Sequence, residues 1–164
     1  MNGLLIGRFQ PFHLGHLDAL HFALSRVECL WVGLGSSNRP RQRSNPFSAE
    51  ERRHMILSSI TDSMKRKIGI FLIPDLDNHQ KWIELISTIV PKFDIVFTND
   101  DLTRHIYLRN NVNVVPIPFV NREVLSGTNI RNLIANCQKW EHLVPEGTKK
   151  FLLDTGAKAR LGDL

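Results

Sequence analysis

Two histidines, an arginine and two glycines lie close together near the N-terminus, in the segment GRFQPFHLGH. His13 and His16 are three residues apart, and residues at this spacing project from the same side of a helix that begins here. Gly7 would allow a tight exit from a strand, and Gly15 would let a ligand approach the helix backbone closely. Because a helix N-terminus attracts anions, these residues together with Arg8 are typical of a polyphosphate site.

The histidine pair has two other interpretations, a shared metal ion or simple exposure to water at the helix start. A catalytic zinc site needs a third protein ligand, and no third ligand is evident in the sequence near His13 and His16. The patterns G-x-x-x-x-G-K-[ST] and G-x-G-x-x-G are also missing from the sequence. Neither a P-loop nucleotidase nor an ordinary dinucleotide-binding site is therefore indicated.

Apolar runs alternate along the chain with segments of helical periodicity, and these elements must position the polar residues. Runs with the length of buried strands occupy residues 3–7, 29–34, 68–73, 95–98 and 112–117. Segments with helical spacing occupy residues 14–27, 48–60, 82–90 and 102–108, and a last one begins near Gly127. Ser48 and Glu51 form a capping-box pattern at the start of the second helix. This order predicts an α/β fold, a Rossmann-like open parallel sheet with helices on both faces and ligands bound beyond the carboxyl ends of the strands.

The bulk properties predict one domain of 164 residues, with a loose tail over residues 154–164, where apolar residues are scarce. Cys29 and Cys137 lie in otherwise apolar segments, so we expect buried reduced thiols, as in cytosolic proteins. The N-terminus lacks a signal-peptide pattern, and no apolar run approaches the roughly 18 residues of a membrane span. We therefore expect a soluble, cytoplasmic protein.

The formal net charge is +5, and five arginines stand against two acidic residues between positions 38 and 53. Such a cluster is either a solvated face or a surface for anions. Aromatic residues are 8% of the chain and do not alternate with these arginines, so the stacking platform of a single-strand nucleic-acid binder is not indicated. The basic charge alone leaves nucleic acid, an anionic membrane surface and small phosphorylated ligands as candidate partners.

Three segments together resemble a known family. GRFQPFHLGH is similar to the H-x-G-H signature of the nucleotidyltransferase superfamily, and LSGTNIR at residues 125–131 is similar to its second signature, I-S-S/G-T-x-I-R, with Leu for the first Ile. The fuller form of the first motif and NPFSAEER at residues 45–52 resemble the archaeal-type nicotinamide-nucleotide adenylyltransferases. Trp82, which follows PDLDNHQK, matches the tryptophan that this family uses against the nicotinamide ring.

The resemblance, which spans most of the chain, implies the nucleotidyltransferase fold and adenylyl transfer from ATP to nicotinamide mononucleotide, giving NAD and pyrophosphate. The mononucleotide phosphate would attack the α-phosphate of ATP in line. Since this phosphate is already ionised at neutral pH, N–H and cationic donors should dominate the site rather than a protein base. Mg²⁺ would be carried with ATP. The family also implies a homo-oligomer, hexameric in archaeal-type members, without a nucleic-acid or membrane partner.

The resemblance also implies roles for individual residues. His13 and His16 would donate to the triphosphate, with His16 nearest the α-phosphate. Arg8 and Arg131 would brace the phosphates as further catalytic residues. The other residues assigned to ATP and its phosphates are Gly7, Phe9, Gly15, Arg122, Ser126, Gly127 and Thr128, with Ser126 expected to cap the last helix. The residues assigned to the nicotinamide nucleotide are Trp82, Asp75, Asp77, His79 and Arg43.

Two positions depart from the family pattern. Ser44 stands where relatives tend to have Lys or Arg before N-P-F, so Arg43 or Arg41 would supply that charge. His79 stands where relatives often have Asn, which leaves the choice between the amide and acid forms of the mononucleotide open. The two aspartates could equally be ordinary loop acids, and the tryptophan a core residue. The alternative functions are an adenylyltransferase for phosphopantetheine or FMN, a non-catalytic nucleotide-binding regulator, and a basic nucleic-acid-binding protein.

Overall fold

The chain folds into two compact units that interleave along the sequence. A computed structural model describes residues 1–119 and 121–164. Unit 1 consists of residues 1–7, 19–39 and 62–118, and unit 2 consists of residues 8–18, 40–61 and 119–164.

Unit 1 contains a parallel sheet of five strands, which confirms the predicted fold class. The strands are β1 (Asn2–Gly7), β2 (Cys29–Leu34), β3 (Ile68–Leu72), β4 (Ile95–Phe97) and β5 (Asn113–Val115). Their order across the sheet is β3-β2-β1-β4-β5, and every neighbouring pair is parallel. The strand order reverses beside β1, and in open α/β sheets ligands bind at the carboxyl ends of the strands near such a reversal. The segment GRFQPFHLGH begins at the last residue of β1.

Helices pack on both faces of this sheet within unit 1. The helices along the chain are α1 (Leu14–Leu24), α2 (Ala49–Ser59), α3 (Asp62–Lys65), α4 (His79–Ile89), α5 (Asp101–Arg109), α6 (Gly127–Ala135), α7 (Glu146–Asp154) and α8 (Ala157–Gly162). Val96 of β4 lies in one apolar cluster with Ile83 of α4 and Ile106 of α5. Phe97, the next residue, meets Phe22 of α1 with ring centroids 6.2 Å apart. Since successive strand residues point to opposite faces, α4 and α5 cover one face and α1 the other.

Unit 2 is built from α2, α6, α7, α8 and the first turn of α1. The Ser48 hydroxyl accepts a hydrogen bond from the backbone N–H of Glu51, whose carboxylate accepts one from the N–H of Ser48, so the predicted capping box is confirmed. Phe47 beside this cap packs edge-on against Phe151 of α7, with ring centroids 6.2 Å apart. These contacts fix the start of α2 and therefore also the end of the loop that precedes it.

The C-terminal residues differ from expectation in two ways. Two helices, α7 and α8, follow the helix at Gly127 that was expected to be the last. The expected loose tail is instead helical over residues 157–162, which form α8. Gly156 has a φ of 62° and starts this helix in the left-handed region, where glycine is favoured. Ala157 and Leu161 are both buried, and their spacing of four places them on one face of the helix. Composition alone missed this face because it contains only two apolar residues in this short helix.

Two further findings concern the cysteines and the membrane. Cys29 is partly buried, but the expectation of burial is wrong for Cys137, which is exposed. Cys137 lies just past α6 with a φ of 56°, in the turn that leaves the helix rather than on its apolar face.

Among the helices of residues 1–119 and 121–164, none combines the length and apolar character needed to cross a bilayer.

Candidate active site

The two histidines of unit 2 stack on each other where α1 begins. The carbonyl of His13 accepts hydrogen bonds from the backbone N–H groups of His16 and Leu17, each at 3.0 Å, and so starts the helix. The two imidazole rings lie 3.6 Å apart between centroids with an interplanar angle of 20°. His13 is only 5% exposed. This first turn therefore presents the two rings as one unit, as the three-residue spacing predicts.

Backbone hydrogen bonds select one tautomer for each ring. The N–H of His13 donates to Nδ1 of His16, and the N–H of His16 donates to Nδ1 of His13, both at 3.3 Å. An Nδ1 that accepts carries no proton, so the proton of a neutral ring lies on Nε2. Burial lowers the pKa of His13 to about 4. Burial, and then the charge of His13, hold the pKa of His16 well below its usual 6.5. At neutral pH both rings are therefore uncharged Nε2–H donors.

Two phenylalanines hold the ring of His16. Phe9 meets it edge-on with centroids 4.7 Å apart, and Phe12 stacks nearly parallel to it at 5.8 Å. The side chain of Phe9 is 1% exposed and that of Phe12 is fully buried. The family resemblance assigns Phe9 to ATP binding. In the structure its side chain supports the ring of His16.

Two buried polar side chains that sequence reasoning did not assign to the site fix the loop before the histidines. Gln10 donates from Nε2 to the carbonyl of Phe47 at 2.9 Å and accepts from the N–H of Phe47 at 3.0 Å. Arg52, 1% exposed, donates from Nη1 to the carbonyl of Arg8 at 2.7 Å. The joint presence of GRFQPF and NPFSAEER was the sequence signal for these contacts. Together they tie the first loop to the start of α2.

The second signature contacts the first within unit 2. Arg131 of α6 donates from Nη1 to the carbonyl of Gln10 at 2.6 Å and from Nη2 to the hydroxyl of Thr128 at 3.3 Å. A Cβ on Gly127 would lie 2.8 Å from the same Gln10 carbonyl, so only glycine allows this approach. A Cβ on Gly15 would lie 3.1 Å from the His13 ring, which is tight. The structure thus brings both signatures together.

The start of α6 provides several donors for an anion. Ser126 caps the helix as expected, because its hydroxyl accepts from the N–H of Asn129 at 3.2 Å. The N–H groups of Gly127 and Thr128, at the first two helical positions, have no intrahelical acceptor. Burial, and then the nearby positive charge of Arg8, lower the pKa of Arg131. A bound anion would offset the repulsion between these two positive charges.

A cavity of about 450 Å³ opens beside these residues in unit 2. Its walls are formed by Gln42, Arg43, Ser44, Thr128, Arg131, Asn132, Ala135 and Leu161. The structure distinguishes the loop arginines, because Arg39 pairs with Asp75 and Arg41 pairs with Glu51, each at 2.9 Å. Among the residues that the structure describes, Arg43 has no carboxylate partner. The family resemblance assigns Arg43 to the nicotinamide nucleotide. In the structure Arg43 lines the same cavity as Thr128 and Arg131, which are assigned to the ATP phosphates.

The remaining acidic candidates belong to unit 1, where Asp75 organises a loop. Its carboxylate accepts from the hydroxyl of Ser36 at 3.1 Å and from Nε of Arg39 at 2.9 Å. Burial acts to raise the pKa of Asp75, but the hydrogen bonds from Arg39 and Ser36 outweigh it and keep the pKa below its usual value. Asp77 is exposed. Gly7 accepts at its carbonyl from the N–H of Gly35 at the end of β2.

Trp82 and His79 lie together at the start of α4 in unit 1. The indole N–H of Trp82 donates to the carbonyl of Pro74 at 3.1 Å, and the ring is partly buried against the apolar cluster. The ring of His79 lies 5.2 Å from that of Trp82, and its Nε2 is 3.2 Å from the hydroxyl of Thr103. Trp82 is therefore both a core residue and a partly accessible aromatic surface.

Arg122 lies in an exposed loop before α6. Its guanidinium stacks over the ring of Phe119 at 4.5 Å, and this ring is 50% exposed. Within residues 1–119 and 121–164, no group of three or more His, Cys, Asp and Glu side chains could hold a metal ion.

Comparisons with known proteins identify the fold and the family. A family described as cytidylyltransferase-like matches residues 4–133. The nicotinamide-nucleotide adenylyltransferase of Saccharolobus solfataricus is 38% identical over 164 residues, with 99% of this chain and 95% of the relative covered. That of Pyrococcus abyssi is 32% identical over 165 residues, with 100% and 89% covered.

Solved structures agree on the fold. A bifunctional NMN adenylyltransferase/ADP ribose pyrophosphatase from Francisella tularensis superposes with a TM-score of 0.84 at 23% identity, and 99% of this chain is covered. A structure of that enzyme with AMP and a Mn ion gives a TM-score of 0.82 at 22% identity. The chain spans about half the length of these structures, 52% and 51%. The chain belongs to the cytidylyltransferase-like family and, within it, groups with the archaeal nicotinamide-nucleotide adenylyltransferases.

Proposed function

We propose that this chain transfers the adenylyl group of ATP to nicotinamide mononucleotide. An oxygen of the mononucleotide phosphate bonds to the α-phosphorus, the bond from this phosphorus to the bridging oxygen of the β-phosphate breaks, and pyrophosphate leaves with the electron pair. NAD is the other product. The full-length similarity to relatives named for this activity, at 38% and 32% identity, supports the proposal.

The observation that carries the proposal is the neutral histidine pair. In phosphoryl-type transfer, negative charge is redistributed over the phosphate oxygens, and fixed donors aimed at them lower the barrier. The Nδ1 atoms of His13 and His16 are occupied by backbone N–H groups, which leaves Nε2–H of each ring as the donor. These donors need no proton transfer, because the attacking phosphate is already ionised.

The basic and N–H groups around the cavity suit the triphosphate. Arg8 and Arg131 would bind phosphate oxygens, and the backbone N–H groups of Gly127 and Thr128 would add donors at the start of α6. Arg43 would extend the site toward the departing pyrophosphate, because it lines the same cavity as Arg131. ATP would enter with Mg²⁺ as part of the substrate, held by phosphate oxygens and water.

Unit 1 would bind the nicotinamide nucleotide through Trp82. The hydrogen bond to Pro74 and the packing against the apolar cluster fix the indole, and a fixed aromatic surface stacks on a pyridine ring with little loss of freedom. His79 beside it would meet the substituent of the ring. Asp75 would act indirectly by ordering the loop of Ser36 and Arg39.

The test is incubation of the purified chain with ATP, Mg²⁺ and nicotinamide mononucleotide. We expect NAD and pyrophosphate in equal amounts, and a much slower reaction when phosphopantetheine or FMN replaces the mononucleotide. A higher rate with either of those acceptors would overturn the substrate assignment. Binding of ATP without any product would instead identify a nucleotide-binding regulator.

A further inference from the structure

One ion pair outside both signatures ties the C-terminal helix of unit 2 to the start of α2. Arg160 donates from Nη1 to Oε1 of Glu51 at 2.7 Å, and these side chains are only 21% and 17% exposed. The same Oε1 accepts from Nη2 of Arg41 at 2.9 Å. The other oxygen of Glu51 accepts from the N–H of Ser48 at the cap of α2. One carboxylate therefore holds together α8, the start of α2 and the loop before α2, which carries Arg41 and Arg43.

Two of these three elements, α8 and the loop, continue into the walls of the 450 Å³ cavity. Arg160 precedes Leu161, which is buried and lines the cavity, and Arg41 lies two residues before Arg43, which lines it as well. Among the described residues that form the cavity walls, neither Arg160 nor Arg41 occurs. An effect of Arg160 on a ligand there would therefore pass through the position of the walls.

We infer that Arg160 is a positioning residue of this cavity, because its bond to Glu51 fixes the α8 wall and the loop that carries Arg43. The inference rests on the proposed function, in which the cavity binds nucleotide phosphates. Donors that are already in position lose little conformational entropy when an anion binds. Without Arg160, the wall and the loop must be ordered by the anion itself, which weakens binding.

Titration of the full chain with inorganic tripolyphosphate by calorimetry measures this effect without base, sugar or turnover. We expect Arg160→Ala to weaken binding about three- to tenfold, as for loss of a partly buried charge-assisted contact. Arg160→Lys should recover part of the affinity. Lys150→Ala is the matched control, because it also removes one positive charge, from a surface pair with Asp154 on α7. We expect this control to change the affinity by less than about twofold.

Glu51→Gln separates positioning from simple attraction. This change makes the region more positive by one charge, so attraction alone predicts tighter tripolyphosphate binding, whereas loss of the tether predicts weaker binding. Gln is compatible with the capping box, so α2 should keep its start. In steady-state assays of Arg160→Ala, the KM for ATP should rise by a larger factor than kcat falls, because His13 and His16 are unchanged.

Binding by Glu51→Gln that equals or exceeds that of the wild type would overturn the inference. Equal losses in Arg160→Ala and Lys150→Ala, or a wild type that does not bind tripolyphosphate, would also overturn it. If Arg160→Ala fails to fold, Arg160→Lys and Glu51→Gln give the same comparison. If the wild type forms NAD and the variants bind tripolyphosphate as tightly as the wild type, only this inference is refuted. If the wild type binds tripolyphosphate, the variants bind it more weakly, and the wild type forms no NAD, only the proposed function is refuted.

Discussion

The role of the histidine pair as neutral donors can be tested by moving the donating atom of residue 16. In His16→Gln the side-chain amide can place an N–H near the position of Nε2, whereas in His16→Asn the shorter amide lies nearer the position of Nδ1. His16→Ala removes the donor altogether. Gln and Asn differ in the place of the N–H group, and Ala shows the effect of losing it.

The expected magnitude follows from the loss of one fixed donor to charged oxygens. Removing such a donor costs about 10²–10³-fold in kcat, or roughly 2.7–4 kcal/mol of transition-state stabilisation. We expect losses in this range for His16→Ala and His16→Asn, and a loss about tenfold smaller for His16→Gln. The KM for ATP should change less than kcat, because the donor acts mainly on charge that develops during the reaction.

The pH dependence separates a neutral donor from an acid. An imidazolium acid with an ordinary pKa near 6.5 would lose most of its protonated form between pH 7 and pH 9, and kcat would fall roughly 80-fold. Burial lowers the pKa of His13 to about 4 and that of His16 well below 6.5, so both rings are already neutral at pH 7. We therefore expect kcat to stay level over this range.

The assay is the initial rate of NAD formation at saturating ATP and mononucleotide, with thermal melting of each variant to establish that it is folded. A kcat that falls steadily above pH 7 in the wild type would refute the neutral-donor interpretation. Equal losses in His16→Gln and His16→Ala would refute the role of Nε2–H.

Three further predictions concern the surroundings of the pair. Gly127→Ala places a Cβ 2.8 Å from the carbonyl of Gln10, so we expect destabilisation by about 1–3 kcal/mol in denaturant unfolding and a fall in kcat/KM. Ser48→Ala removes the cap of α2, and we expect a loss of about 1 kcal/mol by the same measurement, with kcat nearly unchanged. Arg43→Ala should raise the KM for ATP about tenfold or more, as expected for loss of a charged phosphate contact. In contrast, Arg39→Ala should leave this KM nearly unchanged, because Arg39 is paired with Asp75; equal effects of the two changes would contradict the assignment of Arg43.

Periodicity and capping signals were sufficient to predict the sheet and most of its helices. Strands buried on both faces produce continuous apolar runs, and these matched β1 to β5 closely. The capping box at Ser48 is a local hydrogen-bond pattern, so its residues are adjacent in the sequence and recognisable there. Long-range partners carry no such local signal.

The parts that sequence reasoning missed depend on contacts between distant residues. Helix α8 is held by Leu161, Ala157 and the pair of Arg160 with Glu51, which lies 109 residues away in the chain. The ion pairs of Arg39 with Asp75 and of Arg41 with Glu51 are also tertiary contacts. They leave Arg43 as the arginine of this loop without a carboxylate partner among the described residues. Likewise, the tautomers of His13 and His16 follow from backbone geometry that the motif alone does not describe.

Adenylyl transfer can be tested directly by following the α-phosphorus of ATP. The purified chain is supplied with Mg²⁺, nicotinamide mononucleotide and ATP labelled at this atom, and the products are separated. We predict that the label appears in NAD, in an amount equal to the pyrophosphate released. Label that stays in ATP, or that appears in AMP or ADP instead of NAD, would contradict adenylyl transfer.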